Sequence, residues 1–488
     1  MKEQTNNYEL ISALFIRLLS LIFLSAFISL SGQIEGLAGS QGILPISYVL
    51  EAHLDHWGNM AWWHFPSLFW FNASDSALTA AAYAGCIASL LLFFNFLPRL
   101  SLIVILLMYL SLYHAGQIFM NFQWDILLLE SGFLSLFLCK NSRYVIWLFR
   151  WLLFRLRFLS GISKIVSQDP TWLGLTAITY YFEVQPLPNQ ISWYAHQLPE
   201  ALLITAAAIT LFVEIVVPFM MFLPRRYRFI AAWLTIIMQV LIMLSSNHNW
   251  FNLLTLALCL FLFDDQAIRK VLPGNVASWL LHQHLPVKHG GRFYKSGMQV
   301  LTCVIIFVSS VQMFEMISRN KVDGLIGDLA GSVKRLAIVN KYHVFPTMRT
   351  ERLELLIYGS LDGLEWKEYS FKYKPGDTAA PPGVVIPHHP RLDWLMWFVT
   401  LHPHFMPWFE SFIDALLDSS PAVNNLLVEN PFPDAKPNFI RVDLYRYHFT
   451  DRETRLKTGQ WWHREYLGLF PPLPFAEAQI KSVAPVNK

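Results

Sequence analysis

Six stretches of this chain are each long and apolar enough to fill the hydrocarbon of a bilayer, and that excludes an ordinary water-soluble fold. A helix rises ~1.5 Å per residue and needs about 20 apolar residues to cross ~30 Å. Residues 10–30, 77–97, 102–120, 201–223, 229–244 and 298–317 meet or approach that length. Segments 126–138 and 250–263 are shorter; they cross only with their flanks, or enter and return. Segment 144–164 has the length but carries several arginines. The expected count is therefore about nine crossings. Charged residues make up only 15% of the 488, against ~25% in soluble domains. Such a chain cannot cover its own core with polar surface, so membrane lipids are its first partners. The first apolar stretch exceeds a usual signal-peptide core and lacks a small-residue cleavage site, so it reads as a retained helix.

Orientation follows from where the cations sit, because Lys and Arg in short loops stay on the cytoplasmic side. Residues 31–76, 165–200 and 245–249 contain neither. Arg99, Lys140 with Arg143, Arg225, Arg226 and Arg228, and the stretch 269–295 fall in the alternate loops. Threading them puts the N-terminus in the cytoplasm and everything after residue 318 outside, in a lumen or periplasm. Residues 1–318 then form a multi-helix transmembrane domain, and 319–488 a C-terminal extracytoplasmic domain.

The tail has its own grammar. Residues 353–358 read as a strand, Asp362 and Gly363 as a turn, and Tyr369, Phe371 and Tyr373 alternate with polar neighbours. Helical patterns follow at 392–401, 406–417 and 422–428. Residues 439–450 alternate again, and 461–467 suit a strand paired with them. The fold class is a polytopic α-helical membrane protein with a C-terminal β-rich α+β extramembrane domain, its strands in a sandwich-like arrangement.

The main electrostatic oddity is the segment 144–164. Arg143, Arg150, Arg157 and Lys164 recur every seven residues, so they drift only ~20° per step and share one stripe. Arg155 lies on another face. If this helix crosses, each central arginine costs about 2.5–3.5 kcal/mol and needs a partner. Asp125, Glu130 and Glu214 are the acids in or beside neighbouring apolar segments, so Asp125, Glu130, Arg150, Arg157 and Glu214 form a candidate intramembrane network. Alternatively the segment lies along the inner surface with its arginines on lipid phosphates. That reading conflicts with the cation-free loop that follows.

A second concentration lies in 165–200, where Glu183 and His196 are a conceivable acid–base pair on the outer face. Aromatic anchoring by a proline-shaped loop is the structural alternative. His388, His389, His402 and His404 do not make a metal site, since prolines interrupt them and no acid or Cys pattern completes them. Four cysteines, none after Ser318, include no CxxC pair. Walker loop, GxGxxG, HExxH and GxSxG are all missing. No catalytic residue, metal or cofactor is expected, and a net charge of +3 gives no reason for a nucleic-acid partner.

Several blocks in order resemble the lipase maturation factor family. They begin with Phe122-Gln-Trp-Asp-Ile-Leu-Leu-Leu-Glu-Ser-Gly-Phe133. Gln33-Ile-Glu-Gly-Leu-Ala-Gly-Ser-Gln-Gly-Ile-Leu-Pro45, Arg150-Trp-Leu-Leu-Phe-Arg-Leu-Arg157 and Asp169-Pro-Thr-Trp172 belong with it. In the tail, Phe371-Lys-Tyr-Lys-Pro-Gly-Asp377, Pro390-Arg-Leu-Asp-Trp394 and Asn430-Pro-Phe-Pro-Asp434 continue the series. The resemblance implies a non-catalytic, chaperone-like membrane factor of the endoplasmic reticulum, whose lumenal domain engages secreted lipases. The absence of cysteine from the tail suits a bacterial inner membrane better than an oxidising lumen. The membrane half is distantly similar to the transmembrane part of vitamin K-dependent gamma-carboxylase, from which no catalytic residue carries over. On this reading the client is a secreted lipase or another exported protein. Arg391, Asp393, Trp394, Trp397 and Trp408 are the candidate client contacts, with Trp461 and Trp462 beside them; core packing is the competing use of the tryptophans. The competing function is an intramembrane enzyme or lipid- or quinone-binding protein built on the charged bundle. A transporter lacks the inverted repeat it would need.

Overall fold

The computed structural model describes residues 8–138, 143–282 and 292–471. Cys139, Lys140 and residues 283–291 of the expected basic stretch lie outside the described residues.

Helix α1 (Glu9–Ser31) is the hub of the bundle. Its most apolar window is 67% buried inside the protein, against 22% for the helix 292–318 at the periphery. Helices α2 (Asp75–Phe93) and α3 (Pro98–Ala115) form a hairpin on its flank. The turn between them closes because Leu97 takes a left-handed conformation and Pro98 starts the next helix without needing an N–H partner. Then follow α4 (Gln123–Ser135), α5 (Arg143–Val166), α6 (Glu200–Ile215), α7 (Arg225–Ser245), α8 (Phe251–Cys259) and α9 (Arg292–Ser318).

Among the described residues, five helices qualify as spans on length and composition: α1, α2, α3, α7 and residues 294–318 of α9. A sixth qualifies if Gln190–His196 and α6 count as one span bent by 111°. The other three expected crossings, α4, α5 and α8, are helices of the same bundle, too short or too charged to qualify alone. The expected continuous helix 201–223 breaks after Ile215, since Pro218 has no N–H to continue the ladder. Exposed Ile87, Leu90, Ile209, Phe212, Ile237, Leu241, Phe307 and Phe314 give α2, α6, α7 and α9 an apolar outer belt.

The two ends of the bundle differ. At one end Asp264 accepts from Arg225 at 2.6 Å, and Asp265 caps α1 by accepting from the N–H groups of Leu10 and Ile11. At the other end the tail covers the helix tips. An amphipathic helix α10 (Leu325–Arg335) leads into a segment whose Ala337, Val339 and Tyr342 enter the bundle core.

The tail proper carries one antiparallel sheet of four strands in the order β2-β1-β3-β4. These are β1 (Arg352–Ser360), β2 (Lys367–Glu368), β3 (Phe439–Phe449) and β4 (Trp462–Leu469). Leu355, Ile357 and Val442 pack on helices α11 (Arg391–Val399) and α12 (Met406–Leu417) and on Leu37, Ile43 and Phe119 of the bundle's loops. The sandwich-like expectation is corrected: helices and bundle loops, not a second sheet, cover that core face. The expected strand at 369–373 is also shortened. The Asp393 carboxylate accepts from the N–H groups of Tyr373 and Lys374, drawing them off the sheet after residue 368. The helix expected at 422–428 covers only Pro421–Asn424.

Gly161 of α5 lies against α6, where an added Cβ would meet Glu214 Cβ and Ile215 Cγ1 at 2.7 Å. Overpacking of that kind costs about 1–3 kcal/mol, so Gly161→Val should lower the thermal midpoint of detergent-purified protein by several degrees. Gly331, inside α10 with open space around it, should tolerate Gly331→Ala with a gain of about 0.5–1 kcal/mol. Equal midpoints for the two variants would refute the packing described.

Candidate functional site

The bundle and the tail meet along a seam built from charges with little access to water. Asp125, near the start of α4, is fully buried and accepts two bonds from Arg391 of α11, at 2.8 and 3.0 Å. Tyr109 donates to the same carboxylate at 2.6 Å, and Arg391 also donates to the carbonyl of Phe119 at 2.7 Å. Glu130 pairs with Arg155 and accepts from Tyr342 and Asn340, at 2.6 and 3.0 Å. Glu214 holds both Arg157 (3.1 Å) and Lys164 (2.8 Å), and Lys164 donates onward to the carbonyl of Val344 at 2.8 Å. Every one of these clusters joins α4 or α5 to residues beyond 318.

The seven-residue stripe therefore divides. Arg157 and Lys164 meet Glu214, whereas Arg150 donates to the Phe261 carbonyl and the Tyr8 hydroxyl, both at 2.8 Å. Pairing of Asp125 or Glu130 with the stripe is corrected. Asp125 takes Arg391 from the tail, and Glu130 takes Arg155, the one cation on the other face. Arg155 was the signal that sequence reasoning passed over: a helix with buried cations on two faces needs acids on two sides. Asn340 and Tyr342 carried no such signal.

Glu183 does not stand as a free base beside His196. Its carboxylate lies 3.7 Å from His196 Nε2 but also accepts from the N–H of Phe449 at 2.7 Å and meets His448 Nδ1 at 3.1 Å. It ties the outer loop to β3. Arg352 adds to that tie by donating to the carbonyls of Glu183 and Pro186 at 2.8 and 3.0 Å.

The candidate client contacts are corrected as well. Arg391, Asp393, Trp394 and Trp408 are each 3% exposed or less, so they are interior groups and offer nothing to a partner. Trp461 and Trp462 are likewise buried, in an aromatic cluster with Trp193 and Phe449. Trp397 alone of the five is half-exposed, its indole donating to the carbonyl of Val184 at 2.8 Å. It lines a groove of about 530 Å³ between the α3–α4 connection and the tail, with Phe122, Phe398, Leu401 and Phe405. Exposed Arg349, His402 and His404 stand around it, and no carboxylate lines it. Among the described residues no group of three His, Cys, Asp or Glu side chains is placed to hold a metal.

This architecture defines a class: a polytopic membrane protein whose extramembrane tail is locked to one end of its bundle by a buried ion pair and by hydrogen bonds to further buried charges. Residues 10–270 match the model of the lipase maturation factor transmembrane domain, and 338–472 that of the lipase maturation factor C-terminal domain. Lipase maturation factor 2 of Xenopus tropicalis is 34% identical, over 94% of this chain and 81% of its own length. The human protein of that name is 31% identical over 94% and 82%, and lipase maturation factor 1 of Bos taurus 30% over 96% and 90%. The chain belongs to the lipase maturation factor family. No solved structure matches it.

Removing one partner of a buried pair strands the other charge and costs about 3–5 kcal/mol. Arg391→Met and Asp125→Leu should each destabilise the protein by that order, and the double variant should recover most of the loss. Additive losses in a denaturation cycle would show that the two groups do not act together.

The seam also has a pH signature. Burial first, then the nearby Arg391 cation, holds His389 well below an ordinary imidazole, and the same causes bring His388 to about 4. Both stay neutral when folded but titrate near ~6.5 when unfolded. Their contribution is full above that value and is lost as pH falls toward the folded pKa. Asp393 acts oppositely: burial raises it to about 6, favouring the folded state on acidification. The test is therefore a difference. His389→Phe should lose less thermal stability than the parent between pH 7.5 and 5.0, and equal losses would contradict the assignment.

Proposed function

We propose that this chain serves as a membrane-held maturation factor for an exported lipase, engaging its client through the aromatic groove beside Trp397. Family membership supports the maturation role, and the relatives' names supply the lipase. The groove carries the contact: it is the half-exposed apolar surface beside the seam, it holds no carboxylate, and its walls are anchored by Arg391–Asp125 on one side and Trp397–Val184 on the other. An incompletely folded client presents apolar and aromatic side chains, and such a groove receives them while Arg349 and the paired histidines meet acidic neighbours.

The same reading divides the chain after residue 318, puts the N-terminus in the cytoplasm, and puts the tail on the exported side of the endoplasmic reticulum or a bacterial inner membrane. The charge asymmetry of the loops supports it. So does the tail's attachment to the helix ends whose loops, 31–76, 165–200 and 245–249, hold no Lys or Arg.

Leu401→Arg sets a charge in the groove without touching the buried pairs. Secreted lipase activity should fall by about 10-fold, as for loss of an interface anchor, with the variant's membrane level unchanged. Undiminished lipase secretion at normal variant levels would exclude this surface.

A further inference from the structure

The cluster around Glu214 is not electrically balanced. One carboxylate faces two cations, Arg157 and Lys164, both at least 96% buried. The Asp125–Arg391 and Glu130–Arg155 pairs, in contrast, each close one to one. The Nε of Arg157 and the Oε1 of Gln239 have no partner among the described residues. Both side chains line a small cavity, about 80 Å³ in volume, together with Glu214, Asn252 and Tyr181. Gln239 is six residues from the end of α7, so the cavity lies about 9 Å below the tail-side tip of that helix.

Half-exposed side chains line the cavity on two sides: Thr210 of α6 with Met238 and Ile242 of α7 on one, and Ile178, Val344 and Phe345 on the other. Beyond the α6–α7 rim the same two helices carry exposed Ile209, Phe212, Ile237 and Leu241, the apolar belt. A surplus cation in low-dielectric surroundings is costly unless an anion meets it. Where the α6–α7 rim meets the apolar belt, the anions at hand are lipid heads.

We propose that this cavity is a lateral binding site for an acyl lipid with an anionic oxygen head, the head on the unpartnered Nε of Arg157 with the Lys164 charge beside it, and the chain leaving between α6 and α7. A fatty-acid carboxylate and a phospholipid phosphate share the required chemistry. The site adjoins the client groove, since His248, Phe251, Val344 and Phe345 line both, but it involves different charges and is tested without a client.

Full-length protein in phosphatidylcholine nanodiscs, given a diazirine-bearing palmitate or a diazirine-bearing phosphatidylglycerol, tests this. Labelled peptides are mapped by mass spectrometry. Expected is labelling concentrated in residues 205–215 and 235–245 over the lipid-facing 300–317, outcompeted by unlabelled anionic lipid and not by added phosphatidylcholine. Whichever probe labels and competes identifies the head group. Arg157→Gln leaves Glu214 balanced by Lys164, so its fold does not lose a needed charge, and its labelling should drop at least 10-fold. Ile242→Trp narrows the rim with the charges intact and should do the same. Labelling spread evenly over the apolar belt, or unchanged in both variants while they remain monodisperse, would overturn the proposal.

Discussion

A guanidinium closed on a carboxylate, each shut away from water, is the constraint on which the rest of this molecule depends. Arg391 and Asp125 are 266 residues apart and both fully buried. Neither is tolerable alone: an isolated buried charge costs several kcal/mol, and only the other charge with its hydrogen bonds offsets that. The bundle therefore cannot complete its α4 end without the tail, nor the tail its α11 without the bundle. Glu130 with Tyr342 and Asn340, and Lys164 with the Val344 carbonyl, repeat the logic twice more. The two matched regions of the family thus meet as one body with a polar seam inside it.

Much of the fold was legible because its cause is local. Apolar length announces a membrane helix whatever its neighbours do, and the local patterns at 353–358 and 439–450 announced β1 and β3 within two residues of their ends. The helical pattern at 406–417 coincides with α12. What escaped was whatever depends on a distant partner. Residues 369–373 alternate like a strand, yet the Asp393 carboxylate captures the N–H groups of Tyr373 and Lys374 at its far end. The tail's strands looked sufficient for two sheets, yet α11, α12 and the bundle's loops cover the one sheet.

The candidate site divides in the same way. That buried cations on α5 need acids follows from electrostatics, and Glu214 with Arg157 obeys it. Which acid meets which cation does not follow, because sequence spacing within one helix carries no information on the helix opposite. Arg391, Asp393 and Trp394 stood out as a charged and aromatic motif and looked like surface. Their composition serves the seam: one ion pair, one clamp on two backbone N–H groups, and an indole packed beside Trp124. For a factor that handles unfinished proteins this division is useful. The polar specificity goes inward to fix the frame, and what is left outside is a groove of apolar and aromatic walls.

We propose that the tail sits at the end of the bundle whose loops lack Lys and Arg, facing the compartment into which clients are exported. Single cysteines in a cysteine-free background measure that directly. One replaces exposed Glu453 in the tail and one replaces Arg226 at the opposite end, each probed with a membrane-impermeant maleimide in sealed vesicles whose cytoplasmic face is outermost. The cysteine at 453 should stay unlabelled until detergent opens the vesicles, and that at 226 should react before it. Both reacting from the same side, or 453 reacting from the cytoplasmic side, would contradict the account.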